Sequence, residues 1–319
     1  MQQSIRVATL SVAIVFGLLG PVVAPANAQA QTPPQMRTRL LPSLTNQEVE
    51  DYLQRNDVIF VPVGPTETHG NWPLDCEYAL PEAYAIKLAE KADGLVFPNL
   101  SYMYPGATVV GRGTVQTVST EEVAYLKMLC RSLLHQGFKR IVFLTGHGPA
   151  PMTILPVVRE MFTETKVSMY YLSVSDPQAA PPRPPEGASR GQRPSGPAGM
   201  DLALYGAYSI IGRLEDIPLK LEGKAPENRL TDPSLQILQR HSMSGGFGYY
   251  YADPADHGGV ASGNLTAEQR AQFAKQGIAQ IEETINKVDI KQILQALRDH
   301  NEFVRKSLVP KYGDRLPDR

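Results

Sequence analysis

An apolar, mostly β-branched run over residues 58–63 stops at Gly64 and is followed within a few residues by acidic and imidazole side chains. Such a run is typical of a buried strand in a parallel sheet. Glu67 and His69 are two positions apart, so in an extended chain leaving the strand they point to the same side. The sequence therefore predicts that both side chains face one point at the end of a strand.

A second junction of the same kind follows the apolar run at residues 140–145, where His147 comes two positions after the predicted strand. Asp75 and Glu77 follow Glu67 and His69 in the first loop. Zinc and manganese bind mixtures of imidazole and carboxylate ligands. Two such loops at the ends of two strands predict a site for a divalent metal.

Along the chain, predicted strands alternate with predicted helices. Strands are predicted over residues 58–63, 95–97, 140–145 and 166–174, and helices over 46–55, 81–91, 119–136, 152–163, 200–213, 267–286 (capped by Thr266) and 291–306. This alternation predicts an α/β fold with a mainly parallel sheet and helices on both faces. Ligands in such sheets bind beyond the carboxyl ends of the strands, where both predicted metal loops lie.

The first 28 residues have the pattern of an export signal. Arg6 is their only charge, an apolar segment follows over residues 7–23, and Ala26-Asn27-Ala28 is typical of a cleavage site. The alternative is a single membrane anchor. Cleavage would leave a mature protein beginning near Gln29, without a stable membrane span, in the periplasm or outside the cell. With 31 Lys and Arg against 32 Asp and Glu, no charge pattern suggests nucleic-acid binding.

Residues 29–319 are expected to form a single domain. Residues 176–199 are dominated by Pro, Gly, Ala, Arg and Gln, which predicts an exposed loop. A G-x-S-x-G match at residues 187–191 lacks the strand and helix that a serine hydrolase needs around it, so we reject it. The two cysteines, Cys76 and Cys130, are expected to be buried thiols, with a disulfide between them as the alternative.

Four segments resemble motifs of the creatininase (creatinine amidohydrolase) family. They are Gly64-Pro-Thr-Glu-Thr-His-Gly70 with the residues through Glu77, Gly113-Thr-Val-Gln-Thr-Val-Ser119, Thr145-Gly-His-Gly-Pro-Ala150 and Gly259-Val-Ala-Ser-Gly-Asn264. The resemblance implies a three-layer α/β/α sandwich that binds zinc or manganese. It also implies a homo-oligomer, which in this family is often a hexamer.

Carried over by position, the resemblance makes Glu67 and His69 ligands of two different ions and His147 a ligand of the first ion. Glu77 falls at the bridging position, with Asp75 as the alternative. One or two ions remain possible, because a position that supplies a ligand in some family members is Pro149 here.

The histidine of the family's last motif is replaced by Pro197. Asp75, Asp201 and His257 are therefore candidates for proton transfer, with His241 as a further histidine downstream. Trp72 either stacks on a flat substrate or covers the site. These features predict a metal-dependent hydrolase that cleaves a C–N bond of a cyclic amide or similar small molecule. A peptidase-like member of the family and a non-catalytic metal- or ligand-binding protein are the alternatives.

Overall fold

The computed structural model describes residues 36–174, 199–220, 233–241, 246–257 and 264–317, with only the backbone of residues 236, 239–241 and 255. The predicted signal peptide, nearly all of the Pro/Gly-rich loop, Pro197 and the side chain of His241 lie outside this description. None of the helices described is both long enough and apolar enough to cross a membrane.

Four parallel strands form the sheet in the described part of the chain. They are β1 (Val58–Pro62), β2 (Leu95–Val96), β3 (Arg140–Thr145) and β4 (Tyr170–Ser173), in the order β2-β1-β3-β4. Every residue of β1 and β3 is buried, as their continuous apolar sequences predict. Val58 pairs with Arg140 and Pro62 with Leu144, so these two strands end side by side.

Helices cover both faces of this sheet. The α-helices of the described residues are α1 (Asn46–Leu53), α2 (Cys76–Ala92), α3 (Ser119–Gln136), α4 (Pro151–Thr165), α5 (Met200–Ile210), α6 (Pro233–His241), α7 (Ala267–Lys287), α8 (Ile290–Phe303) and α9 (Val309–Tyr312), with a π-helical turn, Val304–Leu308, before the last. One buried cluster joins the sheet to α2, α5, α7 and α8, and a second joins it to α1, α3 and α4. The three-layer α/β/α sandwich is thus confirmed.

The two cysteines lie in these two clusters, on opposite sides of the sheet. Cys76 packs in the cluster with α5, and Cys130 packs in the cluster with α4. Both are buried free thiols, so the disulfide alternative is wrong.

Helix α2 begins five residues earlier than predicted and contains Pro81 in its interior. A proline there removes one helical hydrogen bond and is normally unfavourable. Burial of Cys76, Tyr78 and Leu80 against the sheet offsets that loss. The consequence for the site is that Glu77 stands on the first turn of a helix, not on a loop.

Helices α5 and α7 approach each other closely at a pair of glycines. A Cβ atom added at Gly206 would lie 2.2 Å from the carbonyl carbon of Gly277, and one added at Gly277 would lie 2.1 Å from the carbonyl oxygen of Leu202. No side chain fits between these backbones, so both positions require glycine.

Helix α7 starts with the capping box that the sequence predicts. Thr266 Oγ1 accepts from the Gln269 N–H at 3.2 Å, and Gln269 Oε1 accepts from the Thr266 N–H at 2.9 Å. We expect Thr266→Ala to lower the free energy of unfolding by about 1 kcal/mol, measured by urea denaturation. Thr266→Ser keeps the hydroxyl and is expected to lose less, so equal losses in the two variants would contradict the role of the cap.

Candidate metal centre

The carboxyl ends of β1 and β3 carry three of the predicted ligands. After β1, the chain turns at Gly64 into an irregular loop that presents Glu67 and His69, and β3 leads directly to His147. Two backbone hydrogen bonds hold the loop: the Glu67 N–H donates to the Leu74 carbonyl at 2.8 Å, and the Val115 N–H donates to the Thr66 carbonyl at 2.9 Å. The loop is therefore fixed on both sides of its acidic residue.

One group of potential ligands consists of Glu67, Glu77 and His147, whose donor atoms all lie within 4.8 Å of one another. His147 Nδ1 contacts a carboxylate oxygen of Glu77 and lies 3.4 Å from Glu67 Oε1. On the other side of the ring, His147 Nε2 donates to the Tyr104 carbonyl at 3.0 Å. A hydrogen bond of this kind orients the imidazole and leaves Nδ1 to bind a metal ion.

A second group consists of His69, Glu77 and His257, within the same limit of 4.8 Å. His69 Nδ1 lies 3.7 Å from Glu77 Oε1 and 3.3 Å from His257 Nε2. The His257 carbonyl accepts from the Gly70 N–H at 3.1 Å, which ties this distant segment to the first loop. Nitrogen atoms of two imidazoles and a carboxylate oxygen suit zinc or manganese.

Glu77 is the residue that the two groups share, so its carboxylate stands between two potential ion positions. Asp75, the alternative bridge and a candidate for proton transfer, belongs to neither group found among the described residues. Its carboxylate instead accepts from the Tyr208 hydroxyl at 2.6 Å and from Arg213 Nη1 at 2.5 Å. The structure therefore brings Glu77, and not Asp75, to Glu67, His69 and His147.

The surroundings of the Glu67 carboxyl group show whether these residues suit a cation. Its side chain is 0% exposed, and Oε2 accepts from the Thr108 hydroxyl. Oε1 accepts no hydrogen bond from the described residues. Burial and the nearby negative charge of Glu77 raise the pKa of Glu67 to about 9. Two carboxylates crowded in a buried place are unfavourable without positive charge, and divalent ions would supply it. The donor set fits a metal centre.

The two histidines and Glu77 differ in how their surroundings shift their pKa values. Burial lowers the pKa of His69 and favours the neutral imidazole, which is the form that binds metals. Burial also opposes a charge on His147, but the carboxylates of Glu77 and Glu67 outweigh it and raise the pKa of His147. For Glu77, burial is outweighed by His147 and His69, which hold its pKa below the usual range.

Asp201 and Trp72 lie beside the second ligand group. Asp201, on the first turn of α5, accepts from Trp72 Nε1 at 3.2 Å. Trp72 is only 4% exposed, and its ring packs edge-on against Tyr205 at 5.1 Å. Of the two roles predicted for the tryptophan, the structure supports covering the site rather than stacking on a substrate. A narrow cavity adjoins this region, lined by His69, Cys76, Glu77, Leu80, Gly146, Met200 and Leu204.

Two residues that sequence reasoning did not identify orient the ligands. The Tyr104 carbonyl positions His147, and the Thr108 hydroxyl donates to Glu67. Both lie in the irregular segment between β2 and α3, where apolar periodicity gives no signal. His257 was predicted as a proton-transfer residue, and the structure places it among the potential ligands.

Residues 42–195 match the family model for creatininase, described as creatinine amidohydrolase. The creatinine amidohydrolase of Pseudomonas putida is 27% identical over 195 residues, which are 55% of this chain and 75% of that protein. Over residues 42–195 the chain belongs to the creatininase family. Another relative, 3-dehydro-scyllo-inosose hydrolase of Thermotoga maritima, is 27% identical over 124 residues, which are 38% of this chain and 39% of that hydrolase.

Solved structures support the fold of this creatininase-family chain. A creatinine amidohydrolase superposes with a TM-score of 0.54 at 20% identity, over 79% of this chain and 98% of that one. A manganese form and a mutant Zn–Zn form of creatininase superpose with TM-scores of 0.52 and 0.53, each at 19% identity and with the same coverage. At this identity the likeness establishes the architecture alone.

Proposed function

We propose that the protein is a metal-dependent amidohydrolase with two divalent ions, zinc or manganese, at the carboxyl edge of its sheet. The observation that carries this proposal is Glu77, whose carboxylate belongs to both groups of potential ligands. The names of the Pseudomonas relative and of the zinc and manganese creatininases support the same chemistry.

Each potential ligand would bind a particular ion. Glu67 and His147 would hold the first ion, His69 and His257 the second, and Glu77 both. His257 thereby supplies a ligand that the family motif would place at Pro149, a residue that has no donor atom in its side chain. When bound, the ions would supply Lewis-acid polarisation of a carbonyl oxygen and a water acidic enough to attack near neutral pH.

Asp201 is the residue to which we assign proton transfer. Hydrolysis of an amide adds water to the carbonyl carbon, breaks the C–N bond and delivers a proton to the leaving nitrogen, so one group must accept and return that proton. Asp201 lies beside the second ligand group, and the Trp72 indole N–H fixes the orientation of its carboxylate. The carboxylate of Asp75 already accepts hydrogen bonds from Tyr208 and Arg213, so we do not assign proton transfer to Asp75.

A substrate screen with metal analysis tests the proposed activity. The purified protein would be loaded with zinc or manganese, the ions per chain counted, and turnover measured on lactams, cyclic imides, linear amides and dipeptides. Cyclic ketones belong in the screen because the Thermotoga relative is named for an inosose. We expect two ions per chain and hydrolysis of a non-peptide C–N bond. Cleavage of dipeptides alone would favour the peptidase alternative, and two bound ions without turnover of any amide would favour the non-catalytic one.

Substitution of His257 tests whether this histidine is a metal ligand. We expect His257→Ala to reduce the content of tightly bound metal from two ions to one, because the other group keeps all three of its members. Elemental analysis after gel filtration measures this directly. His135→Ala, at an exposed position of α3, is the control and is expected to retain two ions. Two ions in His257→Ala would mean that this histidine is not a ligand.

A further inference from the structure

Three aromatic side chains form a row that ends at the metal centre. We propose that this row, Phe247, Tyr249 and Tyr251, binds the aryl group of a substrate whose amide lies at the ions. The inference rests on the proposed amidohydrolase function and specifies its substrate class as amides that carry a flat aromatic group.

The geometry of the row is continuous. The Tyr251 ring lies 5.1 Å from the ring of His257, the Tyr249 ring 5.6 Å from Tyr251, and the Phe247 ring 5.2 Å from Tyr249. These centroid distances are those of interacting aromatic pairs. His257 in turn meets the ring of His69 edge-on at 4.9 Å. The row therefore leads from the second ligand group outward.

Burial alternates along this segment. Phe247, Tyr249 and Tyr251 are partly buried, whereas Gly248 and Tyr250 between them are exposed. Tyr250, which lies between two of them, is 60% exposed, and among the described residues its ring pairs with none of the three. Tyr250 is thus a natural control for the row.

The row is anchored to the same loops that hold the ligands. The Tyr251 N–H donates to the Ala107 carbonyl at 3.1 Å, and the next residue, Thr108, donates its hydroxyl to Glu67. At the other end of the segment, the His257 carbonyl accepts from Gly70. A substrate group resting on the row would therefore keep a fixed distance from the metal centre.

The partial exposure of the three rings favours a role in substrate binding over a role in core packing. Phe247, Tyr249 and Tyr251 are each partly exposed, whereas Trp72, another large aromatic side chain near the ligands, is buried against Tyr205. Partly exposed rings in contact with each other leave aromatic faces and edges at the surface. A flat aromatic group complements such a surface, and binding sites of this kind are lined mainly by aromatic and apolar side chains.

Two chelating probes separate the row from the metal centre. Acetohydroxamate and benzohydroxamate present the same metal-binding group, but only the second carries a phenyl ring. Calorimetric titration of the zinc-loaded protein is expected to show about tenfold tighter binding of benzohydroxamate, since aromatic contacts contribute on this scale. Tyr249→Ala is expected to lose most of that preference. Tyr249→Phe and Tyr250→Ala are expected to keep it, with metal content unchanged in all three variants.

Each outcome has a distinct meaning. Equal affinities for the two probes in the wild-type protein would overturn the aromatic site while leaving the metal centre intact. The same preference in Tyr249→Ala as in the wild type would also overturn it. Failure of both probes to bind a protein that holds no ions would refute the proposed function, and this inference with it.

Discussion

Glu77→Ala is expected to abolish binding of both ions and to lower kcat/KM for an amide substrate by about a thousandfold or more. The reason is that Glu77 is the only residue shared by the two groups of potential ligands, so its loss leaves two donors for each ion. Removal of metal-ion catalysis costs several kcal/mol of transition-state stabilisation, which corresponds to this change in rate. Elemental analysis and initial rates on the same preparation measure the two effects together.

Asp75→Asn is the matched control for this experiment. It removes one negative charge two positions away, and the structure pairs that charge with Arg213 outside both ligand groups. This variant is expected to keep two ions and most of its activity, with some loss of stability. If Asp75→Asn lost the ions and Glu77→Ala kept them, Asp75 would be the bridging residue.

Gly206→Ala is expected to lower the free energy of unfolding by about 3 kcal/mol. Alanine normally stabilises a helix by about 1 kcal/mol relative to glycine. At this position, however, the added methyl group would lie 2.2 Å from the backbone of α7, which can yield only if the two helices separate. Overpacking of this kind is destabilising. Urea denaturation monitored by circular dichroism gives the change in free energy.

Ser209→Ala, on the same helix and only half buried, is the control and is expected to change stability by less than about 1 kcal/mol. Because α5 also carries Asp201, a shift of the helix in Gly206→Ala is expected to reduce turnover as well. A stabilised Gly206→Ala protein would show that the helices do not pack this closely in solution.

The strands were predictable because burial on both faces imposes continuous apolar runs. Strand β3 has the predicted bounds, Arg140–Thr145, and β1 differs by one residue at its end. Strand β4 is shorter than the predicted 166–174, since Lys166 ends α4 in a left-handed conformation and the sheet pairing begins only at Tyr170. Boundaries of this kind depend on backbone conformation, which apolar patterning does not specify.

At the candidate metal centre, the residues that follow the strands were predictable and the others were not. Glu67, His69 and His147 inherit their positions from the ends of β1 and β3. The choice between Asp75 and Glu77 depended on where α2 begins. With a start at Cys76, Glu77 lies on the first helical turn, whereas Asp75 is the N-cap residue outside the helical conformation and binds Tyr208 instead. His257 arrives through a long-range contact that local sequence patterns do not encode.

The second group of potential ligands joins two segments that are far apart along the chain. His69 and His257 are 188 positions apart, yet their ring nitrogens lie 3.3 Å from each other. An ion held by both would act as a cross-link that closes a very long loop, and such closure restricts the unfolded chain. Since both thiols are unpaired and on opposite sides of the sheet, coordination would take the place that a disulfide has in many secreted proteins. Resistance to unfolding would then rise with the concentration of the ion.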